Sequence, residues 1–234
     1  TARFFLFPNQ FRKVLETMSL QPVRGTHDLL QDEMRLHRIV SDTAFKIAGF
    51  YGYKEVDTPI FEFTEVFART LGDASDIVTK EMYTFNDKSN ESVTLRPEYT
   101  AGIVRMFISN GLLRNIPFKT FSQGPMFRYE RPQKGRQRQF HQINVEVLGS
   151  QGPVSDIEII SLGSHILDEL GLKDDIVLEL NTLGDSDSRK VYRDCLVQYF
   201  EEHRHKLSKE SLQRLEKNPL RILDTKAEHE QKLL

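Results

Sequence analysis

Cysteine is almost missing from this chain, with Cys195 the only one in 234 residues. A lone thiol builds neither a disulfide framework nor a cysteine-based zinc site, and it suits a reducing compartment. Long apolar runs are also missing. None approaches the roughly 20 residues that a bilayer-spanning helix needs. Charge of one sign is not in excess: 32 Lys+Arg stand against 34 Asp+Glu, for a net charge of −2. Bulk charge therefore does not attract nucleic acid, although a local basic patch still can. No GxxxxGK[ST] loop is present, so any use of ATP does not follow P-loop mechanics. No nucleophile-elbow glycine pattern supports a Ser–His–Asp hydrolase. The seven histidines suggest no metal site, because His203 and His205 sit on a solvated helix end without convergent carboxylates. Repeats and low-complexity segments are absent too. The composition that remains, 38% hydrophobic and 28% charged, is that of a globular chain long enough to bury a sizeable core.

Residues 1–17 (TARFFLFPNQFRKVLET) are aromatic and basic, with no acid before Glu16. They read either as a targeting presequence or as an ordinary extension, and Met18 begins a segment that resembles a natural start. The fold is therefore sought in residues 18–234. Apolar spacing predicts a helix over Asp32–Gly49, followed by a strand from Tyr53 that runs into Pro59. Proline cannot donate to a ladder, which places Pro59 at an edge, a bend or a contact surface. A short helix at Thr64–Leu71 precedes an acidic loop at Asp73–Asp76. Strands are predicted at Lys80–Asn86 and Ser92–Leu95, and Pro97 opens a helix that ends near Gly111. Phe118–Arg131 and Gln139–Leu148 form an antiparallel hairpin with a long polar tip. A helix starting near Asp156 and ending before Gly171, a strand at Ile176–Leu180, and helices near Ser186–His203 and Lys209–Leu215 complete the order. The class is α+β, with a mixed, mainly antiparallel sheet flanked by helices.

The hairpin concentrates Arg128, Arg131, Lys134, Arg136 and Arg138 against Glu130 alone. Guanidinium forks match phosphate oxygens bidentately, so this loop suits a polyanion, although a solvated basic turn has the same composition. Alternation puts Arg128 and Glu130 on one strand face. Phe140, on the returning strand, offers a ring for base stacking. Gln142, Asn144 and Glu146 alternate with Ile143, Val145 and Val147. This polar face is either half exposed to solvent or the lining of a pocket that grips an amino group or an imidazole N–H. Glu98 and Thr100 stand at a strand-to-helix junction, where an acid is also favoured simply by the helix start.

RGTHD (24–28), YKEVDTPIF (53–61), KEMYTF (80–85), LRPEYT (95–100), PMFRYERPQKGRQRQFHQ (125–142) and NPLRILDT (218–225) together resemble the histidyl-tRNA synthetase family of class II aminoacyl-tRNA synthetases. The resemblance extends from about Gln21 to the end of the chain. It implies the first part of a class II catalytic core with an incomplete active site, the family's anticodon-binding domain not being found. It also implies a homodimer in the cytoplasm, or in an organelle if residues 1–17 target one. The implied activity is ligation of L-histidine to tRNA-His with ATP as substrate, accompanied by Mg2+.

Residue by residue, the resemblance makes Arg128 the catalytic arginine on the α-phosphate. Glu130, Arg136 and Phe140 become its companions at ATP. Glu98, Tyr99, Thr100, Gln142 and Glu146 become histidine-binding residues, Gln133 meets the tRNA, and Pro59 lies at the dimer interface. No metal ligand is assigned to the protein. In-line displacement at phosphorus needs positioning and charge neutralisation rather than a protein nucleophile, which such residues supply. One competing reading is a regulatory paralogue that binds histidine without charging tRNA, although it does not need the loop cations. Another is a plain RNA-binding module, which does not explain Glu98, Thr100, Gln142 and Glu146 together.

Overall fold

The first helix, α1, spans Gln31–Phe50, close to the predicted bounds. It buries only Ala44, Ile47 and Ala48, its small and mid-sized C-terminal apolar residues. The computed structural model describes residues 21–71, 81–182 and 184–234. Residues 1–17, the acidic loop at Asp73–Asp76 and Lys80 lie outside the described residues. Two compact units are present, one ending at Ile176 and the other spanning Val177–Leu234, a boundary that composition does not mark.

In the first unit, β1 (Lys54–Glu55), β2 (Phe61–Phe63) and α2 (Thr64–Leu71) are followed by β3 (Tyr83–Asn86) and β4 (Ser92–Leu95). Next come α3 (Thr100–Ser109), β5 (Phe118–Phe127), β6 (Gln139–Leu148) and α4 (Pro153–Glu169). Two three-stranded sheets result. One has the order β1-β5-β6 and the other β2-β4-β3. Every pairing is antiparallel except β1 with β5, as expected for a mixed, mainly antiparallel fold. α1 and α4 bury Ile47, Leu162 and Ile166 against Phe121 of β5 in one core cluster. On the opposite pleat of the hairpin, Tyr99 and Ile103 of the α3 region enclose Met126.

Several predicted elements differ. The helix that Pro97 is expected to open begins only at Thr100, with Glu98 supplying acceptors at its start, and the strand expected over Lys80–Asn86 is formed at Tyr83–Asn86. The strand expected from Tyr53 to Pro59 is only two residues long. After Val56 donates to the Phe121 carbonyl at 2.9 Å the chain leaves β5, and a separate strand forms beyond Pro59. The first hairpin strand ends at Phe127 rather than Arg131, because Tyr129 turns its N–H to the Glu81 carbonyl at 2.7 Å. The strand expected at Ile176–Leu180 is not formed. A short apolar run reads as a buried strand, but this one has no ladder partner among the described residues, and Val177 is 86% exposed.

In the second unit, α5 (Ser186–Glu202), α6 (Lys209–Lys217) and α7 (Glu228–Gln231) gather around Phe200, Leu207, Leu215 and Ile222. Asp185 and Ser208 cap the first two helices through side chains that accept from Ser188 and Ser211 backbone N–H groups. Glu230 is 1% exposed. Its carboxylate accepts from the Ser208 N–H at 2.6 Å, the Ser211 hydroxyl at 2.9 Å and the Thr225 hydroxyl. Burial works to raise its pKa, but the Ser208, Thr225 and Ser211 bonds outweigh burial and hold it at about 2. A depressed carboxylate stabilises the fold above its ordinary value near 4.5 and loses that contribution as pH falls towards 2. Acidification from pH 5 to pH 3 is therefore expected to lower the protection factors of amides around Ser208–Ser211 and Thr225–Gln231 selectively, once the slower intrinsic exchange at low pH is divided out. In a Glu230→Gln variant those amides should have lower protection factors already at pH 7, and the further loss of protection on acidification should be largely absent.

Candidate active site

The loop between β4 and α3 brings Glu98 to the start of a helix. Its two carboxylate oxygens accept the Thr100 N–H at 2.6 Å and the Ala101 N–H at 2.8 Å, satisfying donors that a helix start leaves free. Glu98 is thus a helix-start group, and it also lies beside the predicted pocket. The Thr100 hydroxyl donates to Glu146 Oε1 at 2.5 Å, and Asn144 Nδ2 donates to the same oxygen at 3.3 Å. Glu146 Oε2 has no hydrogen-bond partner among the described residues. Strand alternation puts Phe140, Gln142, Asn144 and Glu146 on one face. In register with them on β5 are Gly124 opposite Gln142, Ser122 opposite Asn144 and Thr120 opposite Glu146. Gln142 Oε1 and Thr120 Oγ1 are buried with no hydrogen-bond partner. Buried acceptors are normally satisfied, so this face carries unused acceptor capacity.

Arg128 closes one end. Its Nε donates to the Pro97 carbonyl at 2.9 Å, and its guanidinium lies 5.2 Å from the centre of the Phe140 ring. Glu130 stands 4.0 Å from Arg128 and 3.4 Å from Arg136, so the cation and acceptor predicted to share a face do approach, although both lie beyond the strand. Arg136 and Gln133 are exposed at the hairpin tip and pair with each other through a one-residue bridge. Tyr99 departs from the expected pocket lining. It is fully buried in the core with Ile103 and Met126, its hydroxyl 3.5 Å from Asp57. It supports the site from beneath.

Several contributors have no signal in the local sequence. Gly25 adopts φ +87°, and a Cβ there would lie 2.8 Å from Arg138 Cγ and 2.9 Å from Pro132. The Gly25 carbonyl accepts from the Arg138 N–H at 2.7 Å, which ties the RGTHD segment to the hairpin loop. Gly124 leaves room for Tyr99 and Arg96, since a Cβ would sit 2.6 Å from the Tyr99 hydroxyl and 2.7 Å from Arg96 Nη2. A separate cavity of about 460 Å³ between α1 and the hairpin is lined by His37, Arg38, Gln123 and His141 and shares only Gly124 and Gln142 with this site. The His37 and His141 rings meet edge-on at 4.7 Å. Burial, then the neighbouring His37 and His27, hold the His141 imidazole below its usual range.

A mainly antiparallel sheet with a long cationic hairpin, and a carboxylate-bearing strand-to-helix junction beside it, define the α+β core of a class II synthetase. The family model described as histidyl-tRNA synthetase matches residues 25–225. The chain is 60% identical over 210 residues to a histidine–tRNA ligase of Rhodospirillum rubrum, covering 90% of this chain and 51% of that protein. It is 57% identical over 215 residues to the corresponding protein of Gluconobacter oxydans, covering 92% and 52%. The solved structure of apo histidyl-tRNA synthetase from S. aureus aligns with a TM-score of 0.66 at 39% identity, covering 87% of this chain and 48% of that one. The chain belongs to the histidyl-tRNA synthetase family. It spans about half the length of the curated relatives it matches.

Proposed function

We propose that the protein to which this chain belongs activates L-histidine with ATP and transfers it to tRNA-His. The observation that carries the reading is the pair of unused acceptors, Gln142 Oε1 and Glu146 Oε2, on the strand face that also bears Phe140, with Arg128 just beyond the end of β5 and beside that ring. A cationic α-amino group and an imidazole N–H are the donors that such acceptors suit. Glu98 and Thr100 complete the amino-acid side. On the nucleotide side, Arg128 holds the α-phosphate, Glu130 accepts from the adenine amino group, Phe140 stacks on the base and Arg136 reaches the outer phosphates.

The histidine carboxylate oxygen then attacks the α-phosphorus in line, forming the acyl–phosphate bond as the bond to pyrophosphate breaks. A ribose hydroxyl of the terminal tRNA adenosine next attacks the acyl carbon, and AMP leaves. No protein nucleophile is needed, because positioning and neutralisation of phosphate charge lower the barrier. Magnesium enters with the ATP phosphates as part of the substrate. Among the described residues no group of three or more His, Cys, Asp or Glu forms that suits a metal ion.

Gln133, exposed at the hairpin tip, is proposed to meet the acceptor end of the tRNA. Pro59 is proposed to lie in a homodimer interface, supported by the exposure of Ile60 (45%), Phe61 (57%) and Phe63 (49%) beside it. The cytoplasm, where tRNA is charged, is the proposed location, and no helix among the described residues is long and apolar enough to cross a membrane.

The test is pyrophosphate exchange by the full-length protein with each amino acid in turn, followed by charging of a tRNA-His transcript. Exchange that depends on histidine alone, with charging, is expected. Histidine binding without exchange would overturn the reading in favour of a regulatory histidine-binding protein. RNA binding without any amino-acid dependence would reduce it to an RNA-binding module.

A further inference from the structure

Arg96 is the most thoroughly enclosed cation among the described residues, at 2% exposed. Its Nε donates to the Pro125 carbonyl at 3.0 Å. Nη1 donates to the Thr58 carbonyl at 2.6 Å and to Asp57 Oδ1 at 2.9 Å. The guanidinium lies 4.4 Å from the centre of the Tyr99 ring. Its backbone extends the link: the Arg96 N–H donates to the Ile60 carbonyl at 2.8 Å, and the Arg96 carbonyl accepts the Phe127 N–H at 3.0 Å. Gly124 gives the guanidinium its place on β5, and Gly102 of α3 approaches so closely that a Cβ there would lie 2.9 Å from Thr58 Oγ1. One residue thus grips the Asp57–Ile60 segment on one side. On the other it holds the end of β5 that leads to Arg128 and the turn that carries Glu98 and Thr100.

A buried guanidinium is expensive to desolvate, and a well-packed apolar side chain of similar volume often serves stability as well or better. What an apolar side chain cannot do is hold several acceptors in a fixed planar fork. We propose that Arg96 is a positioning residue that couples the segment bearing Pro59 to the two walls of the candidate site, so that displacement of Asp57–Ile60 moves Glu98, Thr100 and Arg128 relative to one another. The proposal rests on the histidine-activation reading for its catalytic consequence, but not for the mechanical link.

The test uses Asp57→Ala, Arg96→Lys and the double variant in the full-length protein. The Asp57 side chain is 71% exposed and is no part of the proposed site, so Asp57→Ala keeps the test open if Arg96→Lys fails to fold. Amide hydrogen exchange reads the link directly: both single variants should exchange faster at Thr100–Ala101 and Phe127–Tyr129. In pyrophosphate exchange, Arg96→Lys should lower kcat by about 10- to 100-fold, since misplacement of reacting groups by an ångström carries a penalty of that order. KM values for histidine and ATP should change by less than about threefold, because uniform ground-state binding is retained. Asp57→Ala should lower kcat less, and the double variant should be no worse than Arg96→Lys, as expected for residues acting through one contact. Unchanged protection at Thr100–Ala101 and Phe127–Tyr129 in Asp57→Ala would overturn the coupling, as would a lower melting temperature with kcat per folded molecule intact. Altered protection in a protein that shows no histidine-dependent exchange would instead overturn the activity reading and uphold the link.

Discussion

Replacing Arg128 with alanine in the full-length protein is expected to lower histidine-dependent pyrophosphate exchange by about 10²- to 10³-fold, the loss typical when one preorganised donor to developing transition-state charge is removed. The geometry explains why one side chain has so large an effect. Nε is already committed to the Pro97 carbonyl, so the remaining edge of the guanidinium is aimed rather than free to swing. Glu130, at 4.0 Å, is too far to occupy Nη1 with a hydrogen bond. Phe140 supports the plane from one side. Both Nη groups are therefore ready to fork onto two oxygens of one phosphate. Arg128→Lys keeps the charge but loses both the fork and the Nε tether, and it should recover only part of the rate. Exchange measured at saturating ATP separates this from weaker nucleotide binding. Wild-type exchange in the alanine variant would remove Arg128 from the α-phosphate.

The residues of this site divide into those with a local sequence signal and those without one. The alternation of Gln142, Asn144 and Glu146 with apolar neighbours is enough to define a polar strand face, because the side-chain period of a strand is two. Cations crowded between two strand-like runs likewise announce a hairpin tip. Glu98 admits two readings in the sequence, a helix-start acid or a pocket acid, and the structure shows the first and places the residue beside the candidate pocket. Arg96 and Asp57 stand in quoted motifs but carry no signal of their pairing, being 39 positions apart and brought together only when the segment before β2 lies against β4. Gly25 is legible as part of a motif but not as the point where the chain touches Arg138. Tyr99 is not the pocket lining that its neighbours suggest, because adjacency to Glu98 and Thr100 says nothing about direction at a strand-to-helix turn, which here rotates the ring into the core. The run at Ile176–Leu180 misleads for a different reason. Its composition favours a strand, but strand formation depends on a partner for the backbone groups, and a partner is a property of the fold rather than of the segment.

Glu146→Gln tests the amino-acid side with comparable force, and the hydrogen bonds around it dictate the sign. Oε1 accepts from both the Thr100 hydroxyl and Asn144 Nδ2, so a glutamine at this position turns its carbonyl oxygen toward them. Its NH2 group then occupies the place of Oε2, and an acceptor facing the substrate becomes a donor. An imidazole N–H loses a charge-assisted partner, worth about 1.5–3 kcal/mol. That corresponds to a roughly 10- to 100-fold fall in kcat/KM for histidine. The KM for ATP should change little, because Arg128, Glu130 and Phe140 do not contact Glu146. Thr100→Val is the complementary change: it removes the hydroxyl that fixes Oε1, frees the carboxylate to rotate, and should raise the histidine KM by a smaller factor while leaving the charge in place. Equal losses for histidine and ATP in Glu146→Gln would show that the Thr100–Glu146 bond holds α3 against the hairpin rather than reading the substrate. A loss confined to histidine would assign the imidazole to Glu146.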